Sequence, residues 1–419
     1  MPKYTVAIIG AGLAGLLFAI ALQKYAPDVE FQIFESAPEL ADIGAGIGFQ
    51  PRTWYVVRQL GLEDALLKVA GNGQNSNVVL VNRKADQRDG FTFNESVSDG
   101  EVYTFHRGQL HKVLLDHIQD SSRVHVGKRF VSYVMPTDPN GQITVSFKDG
   151  STTTCDVLVG ADGIKSSVRS ALFTELADAA QAAGRADEAE YLRSCIPPKW
   201  LGVVAYRTLI KRDSGDGTFQ RRATWMDHLV MVAKVSKEEA IAAFSGWEPE
   251  VEDIMKASDE SGWSKWAIHV VKDLPTFVSG RVALLGDAAH AMPPFQGAGA
   301  GQGFETKVTQ DALLLGQVLG HPKVNRDTVS TALEVYDEFR RPFAQKVAAL
   351  SLRSGQLHSL TAPEIFTVTA EDSSSGKAPT KEQLKKLAEV IEQVKGWRDG
   401  TTVEQDCIAA LQKVEELLA

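Results

Sequence analysis

Residues 4–10, YTVAIIG, form an unbroken apolar run, and the sixteen or so that follow keep apolar side chains at helical spacing until VEFQIFE at 29–35. A short continuous apolar run suits a strand buried on both faces of a parallel sheet, so the opening reads as a βαβ unit. Two more such runs lie far downstream, CDVLVGADG at 155–163 and RVALLGDA at 281–288. Both turn into Asp-Gly or Gly-Asp, where open parallel sheets place ligands. The pattern predicts a sheet that the chain leaves and re-enters. Between these returns, WLGVVAYRTLI, RATWMDHLVMVAKV and WSKWAIHVV within 199–280 predict a mostly antiparallel second domain. Residues 170–195 read as an Ala-rich helical insertion on the surface, DSSSGKAP as a loop, and the last stretch as two amphipathic helices. The expected division is a discontinuous nucleotide domain of 1–75, 100–198 and 281–360, a β-sheet domain of 76–99 and 199–280, and a helical extension of 361–419.

Composition narrows the class. With 44% hydrophobic and 23% charged residues in 419, the chain has ordinary globular usage, which excludes disorder and fibrous folds. A net charge of −9 argues against a nucleic-acid partner. Cys155, Cys195 and Cys407 are few and far apart, which predicts a reducing compartment with no disulfide framework and no metal site. The apolar opening fits a strand-turn-helix unit better than a signal peptide, and no long apolar run predicts a membrane span. A cytoplasmic enzyme is the expectation.

The first chemical signal is Gly10-Ala11-Gly12-Leu13-Ala14-Gly15, a GxGxxG between strand and helix. Gly10 permits a tight turn, Gly12 admits a pyrophosphate to the backbone, and Gly15 allows close helix–strand packing. The helix N-terminus, with Ala11 and Ala14 in its loop, offers amide donors. Glu35 follows Gly15 by twenty residues, the spacing at which a carboxylate accepts from ribose hydroxyls. These residues indicate an adenine dinucleotide and leave FAD and NAD open.

The downstream motifs separate the two. VLVGADGIKSSVR carries Asp162, and RVALLGDAAHAMPPFQGAGAGQG carries Asp287. With the GxGxxG they resemble, over residues 4–350, the three-motif signature of single-component flavoprotein aromatic hydroxylases, the family of 4-hydroxybenzoate and salicylate hydroxylases. GAGIGFQP at 44–51, HRGQL at 106–110 and the 286–305 segment are most similar to the salicylate hydroxylase branch, including many fungal members. The resemblance implies an α/β fold: a discontinuous Rossmann-like FAD-binding domain, an antiparallel substrate sheet and C-terminal helices. It also implies that Asp287 bonds the ribityl chain of FAD, that Arg107 lies along its diphosphate or ribityl region, and that Asp162 serves both FAD and the reduced nicotinamide.

The same resemblance assigns the glycine run after residue 296, with Gly297, Gly299 and Ala300, to the N1–C2=O edge of the isoalloxazine, where helix amides stabilise reduced flavin. Pro293, in a diproline corner without N–H donors, is implied to face the site of dioxygen addition and to position the distal oxygen of a C4a-hydroperoxide. On the substrate side, Arg207 is a candidate to bind a carboxylate or phenolate, and His228 to deprotonate or orient a phenol. His290 reads as a loop stabiliser. Trp225, Trp247, Trp263 and Trp266 read as core, with an aromatic-lined pocket as the other option.

The expected activity is hydroxylation of a phenolic ring with O2 and NADH or NADPH, with decarboxylation if a carboxylate occupies the attacked carbon. Hydroxylation of larger polyketide phenols, a flavin dehydrogenase or oxidase, and a non-enzymatic flavin role are the competing readings. The tail helices are expected either to pack on the FAD domain or to form a homodimer contact.

Overall fold

The computed structural model describes residues 2–40, 46–70, 79–97, 102–207, 226–228, 233–234, 236–242, 244–256, 263–295, 305–358, 362, 379–399 and 402–419. Strands β1 (Thr5–Ile9) and β2 (Glu30–Phe34) flank helix α1 (Leu13–Tyr25), as the apolar pattern predicts. The chain then passes through β3 (Gly46–Phe49), α2 (Pro51–Leu60), α3 (Glu63–Leu67), the hairpin of β4 (Val79–Lys84) and β5 (Phe91–Val97), and β6 (Tyr103–His106). Helix α4 (Arg107–Asp116), β7 (Val124–His125) and the meander of β8 (Phe130–Val134), β9 (Ile143–Phe147) and β10 (Thr152–Cys155) lead into β11 (Val157–Gly160). Later come β16 (Val278–Ser279) and β17 (Val282–Leu284).

The main sheet has the order β16-β17-β11-β1-β2-β7, parallel except for β16. It is therefore assembled from three remote stretches of chain, as its buried-strand runs predict. Helix α1 is apolar around most of its surface because it lies between this sheet and α10 (Glu305–Gly320). The two helices approach so closely that a Cβ on Gly316 would stand 2.6 Å from that of Ala21.

Helix α5 (Ser167–Ala182) corrects one expectation. It is not a surface insertion: Val168, Leu172, Phe173, Ala177 and Ala180 are buried, and it packs on β8 and β11. Spacings of three and four among those residues make one apolar stripe, which the abundant alanines obscure. It is followed by α6 (Ala186–Ser194).

The antiparallel sheet has the order β13-β12-β15-β14, from β12 (Lys199–Arg207), β13 (Met226–His228), β14 (Ala233–Lys234) and β15 (Ser264–Val270). Beside it, α7 (Lys237–Ala242) and α8 (Pro249–Lys256) close a small core of Ala85, Ala240, Phe244, Val251, Met255 and Trp263, with Trp247 against it. Trp247 and Trp263 are thus packing residues, Trp266 is half-buried on β15, and Trp225 lies outside the described residues. DSSSGKAP also falls outside them.

Both tail helices pack within the chain. Lys381–Asp399 sets Leu384, Leu387 and Ile391 against Leu357 of α11 (Val329–His358) and near Phe91 and Phe93 of β5. Val403–Leu417 buries Val403, Cys407, Ala410 and Val414 in the main core, against α2, α10 and α11.

Candidate active site

Register places the motifs side by side. Ile9 pairs with Phe34 on one side and with Gly160 on the other, and Gly160 pairs with Leu284. These four residues end neighbouring parallel strands in the order β17-β11-β1-β2. The segments carrying Asp287, Asp162, Gly10–Gly15 and Glu35 therefore leave the same edge of the sheet, about 4.8 Å from strand to strand. Strand order reverses beside β1, which is where open α/β sheets form a ligand crevice.

The glycine-rich turn is built by contact limits. Gly10 has φ +109°, and a Cβ there would meet the Ala161 carbonyl at 2.5 Å, so the first turn lies directly on the β11 segment. A Cβ on Gly15 would stand 2.0 Å from the Gly10 carbonyl. Gly12, by contrast, has nothing within 4 Å of such an atom, and it begins α1 with no side-chain cap on the helix amides. Replacing Gly12 by Ala is accordingly expected to leave thermal stability near wild type. It should weaken FAD binding about tenfold or more, read by flavin fluorescence titration. Gly15→Ala should instead destabilise the protein by about 1–3 kcal/mol through overpacking.

Glu35 does more than face a ribose. Its Oε2 accepts from Ala11 N at 2.9 Å, and its Oε1 from Ala37 N at 2.8 Å and Ser36 Oγ at 3.0 Å. Three of its roughly four acceptor positions are used to pin the loop, leaving one for a ligand hydroxyl. From the other side His111 of α4 bonds the Ala11 carbonyl through Nε2 at 2.7 Å. Arg107 begins that helix one turn earlier, directly after β6.

Asp162 caps α5: its Oδ2 accepts from Ser167 N at 2.7 Å and Val168 N at 3.1 Å. Its Oδ1 is buried and has no hydrogen-bond partner among the described residues. Burial pushes the carboxyl above the usual range, against the opposing pull of Ser166 and the helix amides. The two oxygens therefore differ: Oδ2 is used by the cap and Oδ1 is not.

Arg169 of α5 ties this segment to the next. It is fully buried. Its Nη2 donates to the carbonyls of Ile164 (2.6 Å) and Ile196 (3.0 Å), and its Nη1 to that of Ala288 (2.8 Å). Its charge interacts with both Asp162 and Asp287, which offsets part of the cost of burial.

Asp287 starts the short helix α9 (Asp287–His290) after Gly286, whose φ is +61°. Asp311 of α10 holds both ends of α9. Its Oδ2 accepts from Gly286 N at 3.0 Å and lies 2.5 Å from His290 Nε2, and its Oδ1 accepts from Arg340 Nε at 2.8 Å. Burial opposes the Asp311 charge, but His290 and Arg340 outweigh it and hold the carboxyl down at about 2. His290 is thus a loop stabiliser, as expected. Asp311 and Arg340 escaped the sequence reading; an acid directly before Ala312–Leu315, inside a buried helix face, was the available signal.

Pro293 is buried, and its carbonyl accepts a hydrogen bond from Ser351 Oγ. On the antiparallel sheet, Val203 pairs with His228, and Arg207 pairs with Ser264 on the opposite neighbour. Arg207 and His228 therefore sit on adjacent strands, offset by four residues or about 13 Å along the strand. Gly297, Gly299 and Ala300 lie outside the described residues, immediately ahead of α10.

These features define an α/β protein whose glycine-rich turn and carboxylates gather at the switch point of its sheet, where such folds hold a dinucleotide. The residues fit FAD on the structure's own terms. Amides without side-chain caps suit phosphate oxygens, the buried Asp162 Oδ1 lacks a donor among the described residues and suits a ligand hydroxyl, and the space over Gly12 admits a close ligand backbone.

Comparison with known proteins agrees. Residues 3–351 match the FAD binding domain family. The chain is 31% identical to the FAD-dependent monooxygenase str9 of Strobilurus tenacellus over 99% of each chain. It is 30% identical to a salicylate hydroxylase of Pseudomonas putida, over 86% of this chain and 87% of that one. A solved salicylate hydroxylase substrate complex superposes with a TM-score of 0.74 at 25% identity, covering 98% of both chains. The chain therefore belongs to the FAD binding domain family, as an FAD-dependent aromatic monooxygenase of the salicylate hydroxylase type.

Proposed function

We propose that this protein hydroxylates a phenolic ring of the hydroxybenzoate or salicylate type, using NADH or NADPH and O2. The observation that carries this reading is the shared sheet edge of the Gly10–Gly15, Glu35, Asp162 and Asp287 segments, with the antiparallel sheet of Arg207 and His228 in the same chain. Similarity to proteins named salicylate hydroxylase supports the substrate class.

When bound, FAD would supply the redox chemistry between the reduced nicotinamide and dioxygen. The chain's own residues hold and shield it. Gly12 and the α1 amides would receive the pyrophosphate, Glu35 a ribose hydroxyl, Asp287 the ribityl hydroxyls and Arg107 the negative charge of the linker, while Asp162 would serve both FAD and the reduced nicotinamide. Pro293 lines the oxygen side without offering an N–H. Arg207 binds the carboxylate or phenolate of the substrate, and His228 takes or orients the phenol proton, which raises electron density on the ring.

The test is a panel of hydroxybenzoates and larger phenols, scored together for NADH and NADPH oxidation, oxygen uptake and hydroxylated product. The expected result is nicotinamide oxidation stimulated by a small phenolic acid, with product formed in step. Flavin reduced directly by the phenol, without nicotinamide, would replace this reading with a dehydrogenase or oxidase. Product only from larger phenols would move the substrate class.

A further inference from the structure

Residues 293–295, Pro-Pro-Phe, contain a single backbone N–H, that of Phe295, because neither proline has one. Ser351 of α11 takes it: Phe295 N donates to Ser351 Oγ at 3.2 Å. The same hydroxyl gives its only proton to the Pro293 carbonyl. Ser351 has no exposed surface, so water does not compete for either bond. One turn further along the same helix face is Gly355, where a Cβ would stand 2.2 Å from the Phe295 ring. The corner is thus gripped through its backbone by Ser351, and its buried aromatic ring is seated where Gly355 lacks a side chain.

From this geometry we propose that Ser351 is a positioning residue for oxygen transfer. It fixes the Pro293 carbonyl and withdraws the corner's one amide proton from the oxygen side of the site. The proposal rests on the function proposed above and deepens it. In the productive reaction, the phenol, O2, NAD(P)H and a proton give the hydroxylated phenol, water and NAD(P)+. In the unproductive one, O2, NAD(P)H and a proton give hydrogen peroxide and NAD(P)+. A hydrogen-bond donor added near dioxygen favours the second by stabilising the departing peroxide, and a loosened corner supplies one in the Phe295 N–H.

The experiment compares wild type with Ser351→Ala and Ser351→Thr in two measurements. The first is hydrogen exchange of the 293–295 segment in the flavin-free protein, where only the Phe295 amide reports. Exchange is expected to quicken at least about tenfold in the alanine variant, as for loss of one buried hydrogen bond, and to be restored toward wild type by threonine. The second is the share of oxidised NAD(P)H recovered as peroxide with a turned-over phenol. This should rise about fivefold in the alanine variant and fall back with threonine, at retained FAD affinity. Unchanged exchange would overturn the clamp whatever the activity. Faster exchange with an unchanged peroxide share would keep the clamp and overturn its role in oxygen transfer. A wild type that folds, binds FAD and shows no phenol-stimulated NAD(P)H oxidation would overturn the proposed function, and with it the role given to Ser351, while the exchange result stands separately.

Discussion

Arg169→Ala is expected to abolish FAD binding at micromolar flavin and to lower stability by about 3–5 kcal/mol, the scale for removing one member of a buried charged network. The side chain donates to the carbonyls of Ile164, Ile196 and Ala288, which truncation would leave without these bonds. Its charge also acts on two carboxylates, Asp162 and Asp287, that we propose meet one ligand. Removing it leaves their repulsion uncompensated and frees α9 from the turn after β11. Arg169→Lys should restore little, because an ammonium lacks the planar fork that reaches several carbonyls at once. Urea denaturation and fluorescence titration with FAD check both parts. Wild-type FAD affinity in a folded Arg169→Ala protein would contradict the role.

The second large effect concerns Asp311. Asp311→Asn is expected to cost about 3–5 kcal/mol, since a neutral amide leaves the buried Arg340 charge without its carboxylate. It should also weaken FAD binding by loosening Gly286 and His290 on either side of Asp287. The pH dependence has a definite sign. The carboxyl is held at about 2 in the folded protein against 3.8 as its ordinary value. A depressed carboxylate stabilises the fold fully above its unfolded value and loses that contribution as pH falls through the folded one. About 2 kcal/mol should therefore disappear between pH 3.8 and about 2, and this component should be missing in Asp311→Asn. Denaturant midpoints measured across that window in both proteins check the prediction. Parallel acid profiles would refute it.

Much of the site was legible because it is written in local constraints. Gly10, Gly12 and Gly15 announce a tight turn, and an added Cβ would stand 2.5 and 2.0 Å from its nearest neighbours at Gly10 and Gly15 but meet open space at Gly12. Asp162 and Asp287 stand out because each follows a buried strand by two or three residues, where no core needs a carboxylate. Glu35 was legible in its position and not in its work, since its bonds to Ala11 and Ala37 depend on how two strand ends meet. Helix α5 was expected at the surface because alanine occurs equally on buried and exposed faces of a helix.

The amino-acid order alone determined the buried strands, the α1 turn, the tail helices and the carboxylates that mark each return to the sheet. These follow from periodicity and from backbone sterics, which act over a few residues. The tertiary structure decided which strand ends are neighbours and which buried groups hold them there. Arg169 reaches Ala288 across 119 residues, Asp311 reaches His290 across 21, and Ser351 reaches Pro293 across 58. Such bonds have no signature in spacing, because a buried polar group takes whatever partner the packed core brings within hydrogen-bond distance.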